Sequence, residues 1–173
     1  STRPKAQEVG TEEELRRLTP ALLEIRRNYP KALLSIDTFD SKVAEQALLK
    51  GADWINDVTS GRHDSRILHV VAQAECPFVI THSRGDSETM DSLAKYKDVT
   101  KEVLYEMLIS TEEAIRSGIK RENIVWDPGL GFAKNTHHCI TLLKEISIFI
   151  DEGFPILLGP SRKRFIGEIL EET

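Results

Sequence analysis

The chain lacks what would place it in a membrane, in an oxidising compartment or on nucleic acid. Its uninterrupted apolar stretches, such as Phe78 to Ile80 and Ile156 to Leu158, run for only a few residues, far short of the roughly 20 that a membrane-spanning helix needs. No secretory signal is visible. Cys76 and Cys139 are the only cysteines; far apart and in no CxxC pair, they read as free thiols in a reducing compartment. A formal net charge of -5 argues against a nucleic-acid partner, which demands a broad basic face to displace counterions. Any anion must therefore be met by local cations. No GxGxxG follows the first apolar run, so the nucleotide fingerprint is missing. His63, His137 and His138 show no HxxxH or HxH spacing, so no protein-held metal site is expected. Cytosol is the default compartment, with mitochondria the alternative for a eukaryotic form.

What is present is one repeated unit, uninterrupted by low-complexity linkers. With 173 residues, 40% of them apolar, a single domain with a real core is expected. Thr11 with Glu14 has the spacing of a capping box, and Leu15, Leu18, Leu22 and Ile25 then repeat at helical period until Pro30 forbids continuation. Leu33 to Ile36 reads as a buried strand, followed by a helix from Ser41 with Val43, Ala44, Ala47 and Leu48 inward and Gly51 as its stop. The alternation then repeats. Strands are expected at Trp54 to Asn56, Phe78 to Thr81, Ile124 to Trp126 and Ile156 to Leu158. Between them fall helices carrying Ile67, Leu68, Val71 and Ala74; Val99, Val103, Met107 and Ile115; and Leu143, Ile146 and Ile150.

Strict alternation predicts right-handed crossovers and a parallel sheet. A polar residue closes each apolar run: Asp37, Asn56, His82, Asp127 and Lys163. The carboxyl ends of parallel strands converge on one face, and barrels do their chemistry there. Because polar residues end every strand instead of clustering at one switch point, the barrel is favoured over the doubly wound sheet. Five strands cannot close a barrel of eight. The chain also starts at Ser1 without a methionine, so it is expected to be one TIM-barrel domain truncated at both ends, covering about strands 3–7.

Five motifs carry a more specific signal: STRP at Ser1 to Pro4, SIDTF at Ser35 to Phe39, INDV at Ile55 to Val58, DPGLGFAK at Asp127 to Lys134 and GPSRKRFIG at Gly159 to Gly167. In this order and spacing they resemble dihydropteroate synthase, and the resemblance covers essentially the whole chain. It implies a (β/α)8 TIM barrel of folate biosynthesis that condenses 6-hydroxymethyl-7,8-dihydropterin diphosphate with 4-aminobenzoate to 7,8-dihydropteroate and pyrophosphate.

The resemblance also implies roles, and the residue types suit them. Asp127 would accept the amino group and ring N–H of a pterin through its two oxygens. Asn56 would meet the mixed edge of the pyrimidine. Asp37 would steady positive charge that grows as diphosphate leaves, and Lys163 would donate at the other end of the ring; these two are the catalytic candidates. Phe132 would stack on substrate. Lys163 opens a helix beside Arg164, where the aminobenzoate carboxylate is expected. Thr2, Arg3 and Pro4 match a loop that folds over the aminobenzoate ring and keeps water out.

Plainer readings stand beside these. Asp37 suits a helix N-cap, although Asp40 and Ser41 are better placed. Asn56 or Asp57 could order the turn before Gly61, and Asp127 the turn at Pro128 and Gly129. Phe132 could be core, the basic run solvated surface, and residues 1–4 a frayed end. His82, in THSRG where the family has MHxxG, reads as a hydrogen-bonded structural histidine.

The family's magnesium-associated asparagine and its diphosphate-binding arginine and histidine have no counterpart in this chain, so Mg2+ is expected only from the family. A homodimer and a larger folate-pathway polypeptide are expected partners. Two other readings remain: a pterin-dependent methyltransferase barrel, which lacks the STRP loop and SRK run, and a non-catalytic pterin-binding remnant.

Overall fold

A computed structural model describes residues 9–86 and 88–171. The first helix, α1 (Thr11–Asn28), leads into β1 (Ser35–Asp37), α2 (Ser41–Leu49), β2 (Trp54–Asp57), α3 (Arg66–Ala74), β3 (Phe78–Thr81) and α4 (Val99–Arg116). A short 3-10 turn then precedes β4 (Ile124–Asp127), α5 (Thr136–Lys144), α6 (Ile146–Ile150) and α7 (Arg164–Leu170). All strand pairs are parallel, and the sheet order is β1-β2-β3-β4. Strands laid down in chain order without a reversal are wound as in a barrel, not as in a doubly wound sheet. The fold is an arc of a parallel (β/α) barrel.

The register explains the position of the site. Asp37 pairs with Asn56, Asn56 with Val79 and Val79 with Val125, which places these four side chains on one face. Thr81 and Asp127 pair two residues further on and share it, because side chains alternate along a strand. On the opposite face Ile55, Phe78, Ile80, Ile124 and Trp126 are sealed under the helices with Ile67, Leu68, Val103, Met107 and Leu142. Each such residue contributes about 1.5–3 kcal/mol of apolar burial. This face fixes the sheet, leaving the other free for chemistry.

Three expectations need correction. Ile156 to Leu158 is not a full strand: it meets β4 at one bridge, Trp126 to Ile156, bounded by Trp126 N–H on Pro155 O and Leu157 N–H on Trp126 O. Pro155 and Pro160 flank the segment and donate no ladder hydrogen bond. The helix expected to carry Leu143, Ile146 and Ile150 is two helices broken at Glu145. The break turns Phe149 into the core and leaves Ile150 54% exposed. Finally, Thr11 is not a cap. Gly10 occupies the N-cap, and the Thr11 hydroxyl donates to Asp40.

Candidate functional site

The strand ends divide into an open half and a sealed half. In the open half, Asp37 is exposed at the end of β1 and accepts a short hydrogen bond from the Asn56 side-chain amide. The amide oxygen, Oδ1 of Asn56, is buried and has no partner. It is an unspent acceptor beside a carboxylate. The plainer jobs have gone to the neighbours. Asp40 caps α2, accepting from Lys42 N–H at 2.8 Å and Val43 N–H at 3.1 Å. Asp57 is fully buried and orders the following turn, accepting from Thr59 N–H, Thr59 Oγ1 and Gly61 N–H, each at 2.7 Å. Asp37 and Asn56 are thereby left to face a cleft of about 640 Å³ walled by Leu18, Ala21 and Phe39.

In the sealed half, Asp127 is 8% exposed. Its Oδ1 accepts from Gly129 N–H at 2.8 Å, so this carboxylate does order its own turn. Burial pushes the Asp127 carboxyl above the usual range, against the pull of the Gly129 N–H and of the Lys163 and Lys134 charges. A ligand that offered two N–H groups would favour the ionised form. Lys163 sits across the turn with its ammonium 4.0 Å from the centre of the Phe132 ring. Burial lowers the Lys163 pKa, and Asp127 opposes that shift. Both Phe132 and Lys163 line a second cleft of about 640 Å³ together with Gly131, Ser161 and Phe165. Phe132 is therefore a cleft wall and not core.

Arg164 lines this same cleft on its exposed side, paired 3.2 Å from Asp91, another lining residue, and 3.7 Å from Glu168. The helix it opens, α7, has only 7 residues, so a carboxylate there would rely on side-chain cations more than on a helix dipole. Thr2, Arg3 and Pro4 lie outside the described residues.

His82 is indeed hydrogen-bonded on both ring nitrogens. Its Nε2 is 2.9 Å from Glu106 and its Nδ1 2.7 Å from Lys134. Burial and the Lys134 charge hold the His82 pKa down at about 4. Burial alone would raise the Glu106 carboxyl, but hydrogen bonds from His82 and Arg84 bring it to about 2. The partner that sequence reasoning missed is Lys134, 3% exposed and enclosed by acceptors. Its one sequence signal is its place closing the DPGLGFAK motif.

Among the described residues no group of three or more His, Cys, Asp or Glu side chains could hold a metal ion. Nor is any described helix long and apolar enough to cross a membrane.

The profile described as pterin binding enzyme matches residues 1–173. Folic acid synthesis protein fol1 of Pneumocystis carinii is 43% identical over 174 residues, covering 98% of this chain and 24% of that protein. The folate synthesis bifunctional protein, mitochondrial, of Pisum sativum is 42% identical over 183 residues, covering 98% of this chain and 35% of that protein. Among solved structures, dihydropteroate synthase of Xanthomonas albilineans with 4-aminobenzoic acid superposes with a TM-score of 0.92 at 36% identity, over 100% of this chain and 60% of that one. The chain spans less than two thirds of the length of each of these relatives.

Proposed function

The chain belongs to the pterin-binding enzyme family, and from that premise we propose that it forms the pterin pocket and part of the aminobenzoate site of a dihydropteroate synthase. The observation that carries this reading is the shared sheet face: Asp37, Asn56 and Asp127 stand on it at the strand ends, with an unpaired buried acceptor on Asn56. That face suits a flat heterocycle rich in N–H groups.

In the proposed reaction the aminobenzoate nitrogen attacks the methylene carbon of 6-hydroxymethyl-7,8-dihydropterin diphosphate. The carbon–oxygen bond to diphosphate breaks with its electron pair leaving as pyrophosphate, and the new amine releases a proton. Asp127 and Asn56 hold the pterin edge, and Lys163 donates at its far side. Asp37 stabilises positive charge that appears on the pterin only as the leaving group departs, so its effect falls on the barrier. Phe132 offers its ring to the substrate, and Arg164 would exchange Asp91 for the aminobenzoate carboxylate. Thr2, Arg3 and Pro4 would close over the aminobenzoate ring. Holding a neutral aromatic amine in line with the methylene supplies much of the remaining acceleration.

Magnesium enters this proposal only as a companion of the diphosphate. The names of the fungal and pea relatives favour a larger folate-pathway polypeptide, with pairing of two copies and a cytosolic or mitochondrial address as further parts of the reading.

Calorimetric titration of 6-hydroxymethylpterin tests the pocket. Micromolar binding is expected, weakened at least roughly 100-fold by Asp127→Ala, which removes a charged acceptor of two hydrogen bonds. Binding that ignores the substitution would sink the reading. Binding without condensation by the full-length protein would instead leave a non-catalytic remnant.

A further inference from the structure

The Asp127 to Lys134 turn bends through three left-handed residues, two of them glycines that accept this freely and one an alanine that does not. Gly129 and Gly131 have φ of 72° and 79°, and Ala133, which carries a Cβ, has φ of 49°. The turn is also pressed hard on the end of β3: a Cβ on Gly129 would lie 1.9 Å from the carbonyl oxygen of His82. Such a conformation persists only where outside contacts over-determine it.

Lys134 supplies those contacts. Its Nζ stands 2.7 Å from His82 Nδ1, 3.0 Å from Phe132 O and 3.1 Å from Gly129 O, with His82 O at 3.4 Å. Glu106 accepts from His82 Nε2 and so leaves Nδ1 as an acceptor. Three acceptors match the three N–H groups of an ammonium. One bond ties the end of β3 to the turn, and the other two grip the turn at Gly129 and Phe132. Gly129 also donates to Asp127, and Phe132 carries the ring under Lys163. The two groups proposed to meet the pterin thus hang from the carbonyls that Lys134 holds.

Burying an ammonium is costly, and an apolar side chain of similar volume often leaves a fold as stable or more so. Taking Lys134 away, however, would strand three buried acceptors, so this lysine serves the fold as well as the pose. We propose that Lys134 is the positioning residue of the site, setting the pose of the Asp127 carboxylate and the Phe132 ring without touching substrate. This rests on the pterin-binding reading above.

The charge of the clamp is itself responsive. Burial brings Lys134 down to about 7, against the Cys139 and Asp127 side chains; Arg84 adds to the lowering and Glu106 opposes it. With His82 and His138, these are the charged and titratable groups that act on it from α4, α5 and the ends of β3 and β4. Above neutrality the amine keeps only two N–H groups, so one of the three acceptors loses its donor.

The test is titration of 6-hydroxymethylpterin into the full-length wild type, Lys134→Met and Asp127→Ala, each checked by circular dichroism and thermal unfolding. Lys134→Met, which strands three buried acceptors, is expected to melt a few degrees lower while staying folded, and to bind pterin roughly 10- to 100-fold more weakly, the usual cost of losing an orienting partner. An affinity within about twofold of wild type would overturn the proposal while the Asp127→Ala loss kept the pocket itself secure. Wild type that bound no pterin would overturn both. Should Lys134→Met fail to fold, the wild-type affinity decides, measured from about pH 6 to about pH 9 and corrected for titration of the pterin ring. A fall of roughly tenfold with rising pH supports the clamp, and a flat profile overturns it.

Discussion

The two halves of the strand-end row are held by opposite means. At β1 and β2 the polar side chains pair with each other in an open cleft, and the structural work is done by adjacent residues, Asp40 and Asp57. At β3 and β4 the same few residues do both jobs: Asp127 orders its own turn, and His82 and Lys134 lie buried in a chain of hydrogen bonds that ends on Glu106. Where labour is divided between neighbours, a functional group can be removed without disturbing the fold. Where it is shared, a change in either role disturbs the other.

Substitution at the sealed half tests this most severely. Gly129→Ala places a methyl within 1.9 Å of a backbone oxygen at a φ of 72°, and a loss on the order of 3–5 kcal/mol in urea unfolding is expected. Gly159→Ala, at a position with nothing within 4 Å, should change stability by under about 0.5 kcal/mol. Equal losses at the two sites would erase the distinction.

Acid should loosen the sealed half next. The His82 pKa lies at about 4 in the fold against the 6.5 of an ordinary imidazole. The unfolded chain therefore takes up the proton first. Stability from this group is complete above about pH 6.5 and is lost as pH falls toward about 4, by at most about 1.4 kcal/mol per pH unit. Urea midpoints compared across that window in wild type and in His82→Gln read the effect, which the variant should flatten. A wild-type curve no steeper than the variant's would show that the buried network does not feel the proton.

The smallest effects sharpen the contrast inside the open half. Asp57→Ala strands three donors under a fully buried site and should cost about 2 kcal/mol of stability. Asn56→Ala should cost under about 0.5 kcal/mol of stability yet weaken pterin binding roughly tenfold. If the adjacent pair behaved alike in both measurements, the division of labour would be wrong.

Much of this was legible in the sequence because it rests on local pattern. Alternating apolar runs located the arc, and the positions of Asp37, Asn56, Asp127 and Lys163 at its strand ends follow from where the runs stop. What escaped depends on contacts distant in the chain. Lys134 escaped because nothing local says that one of its acceptors lies 52 residues back at His82. Thr11 has the spacing of a cap, yet its hydroxyl finds Asp40, 29 residues on. Glu145 lies in an unbroken helical pattern, and only the need to turn Phe149 inward splits the helix there.

Sheet order equal to chain order also sets a timetable for synthesis. Each new strand leaves the ribosome to find its neighbour in the sheet already made, so the arc grows in chain order. Asn56 meets Asp37 only 19 residues upstream. The lysine that must surrender its hydration is made later, after His82 has been set on β3. The nascent chain thus prepares most of the receptacle before it produces the charge to be enclosed.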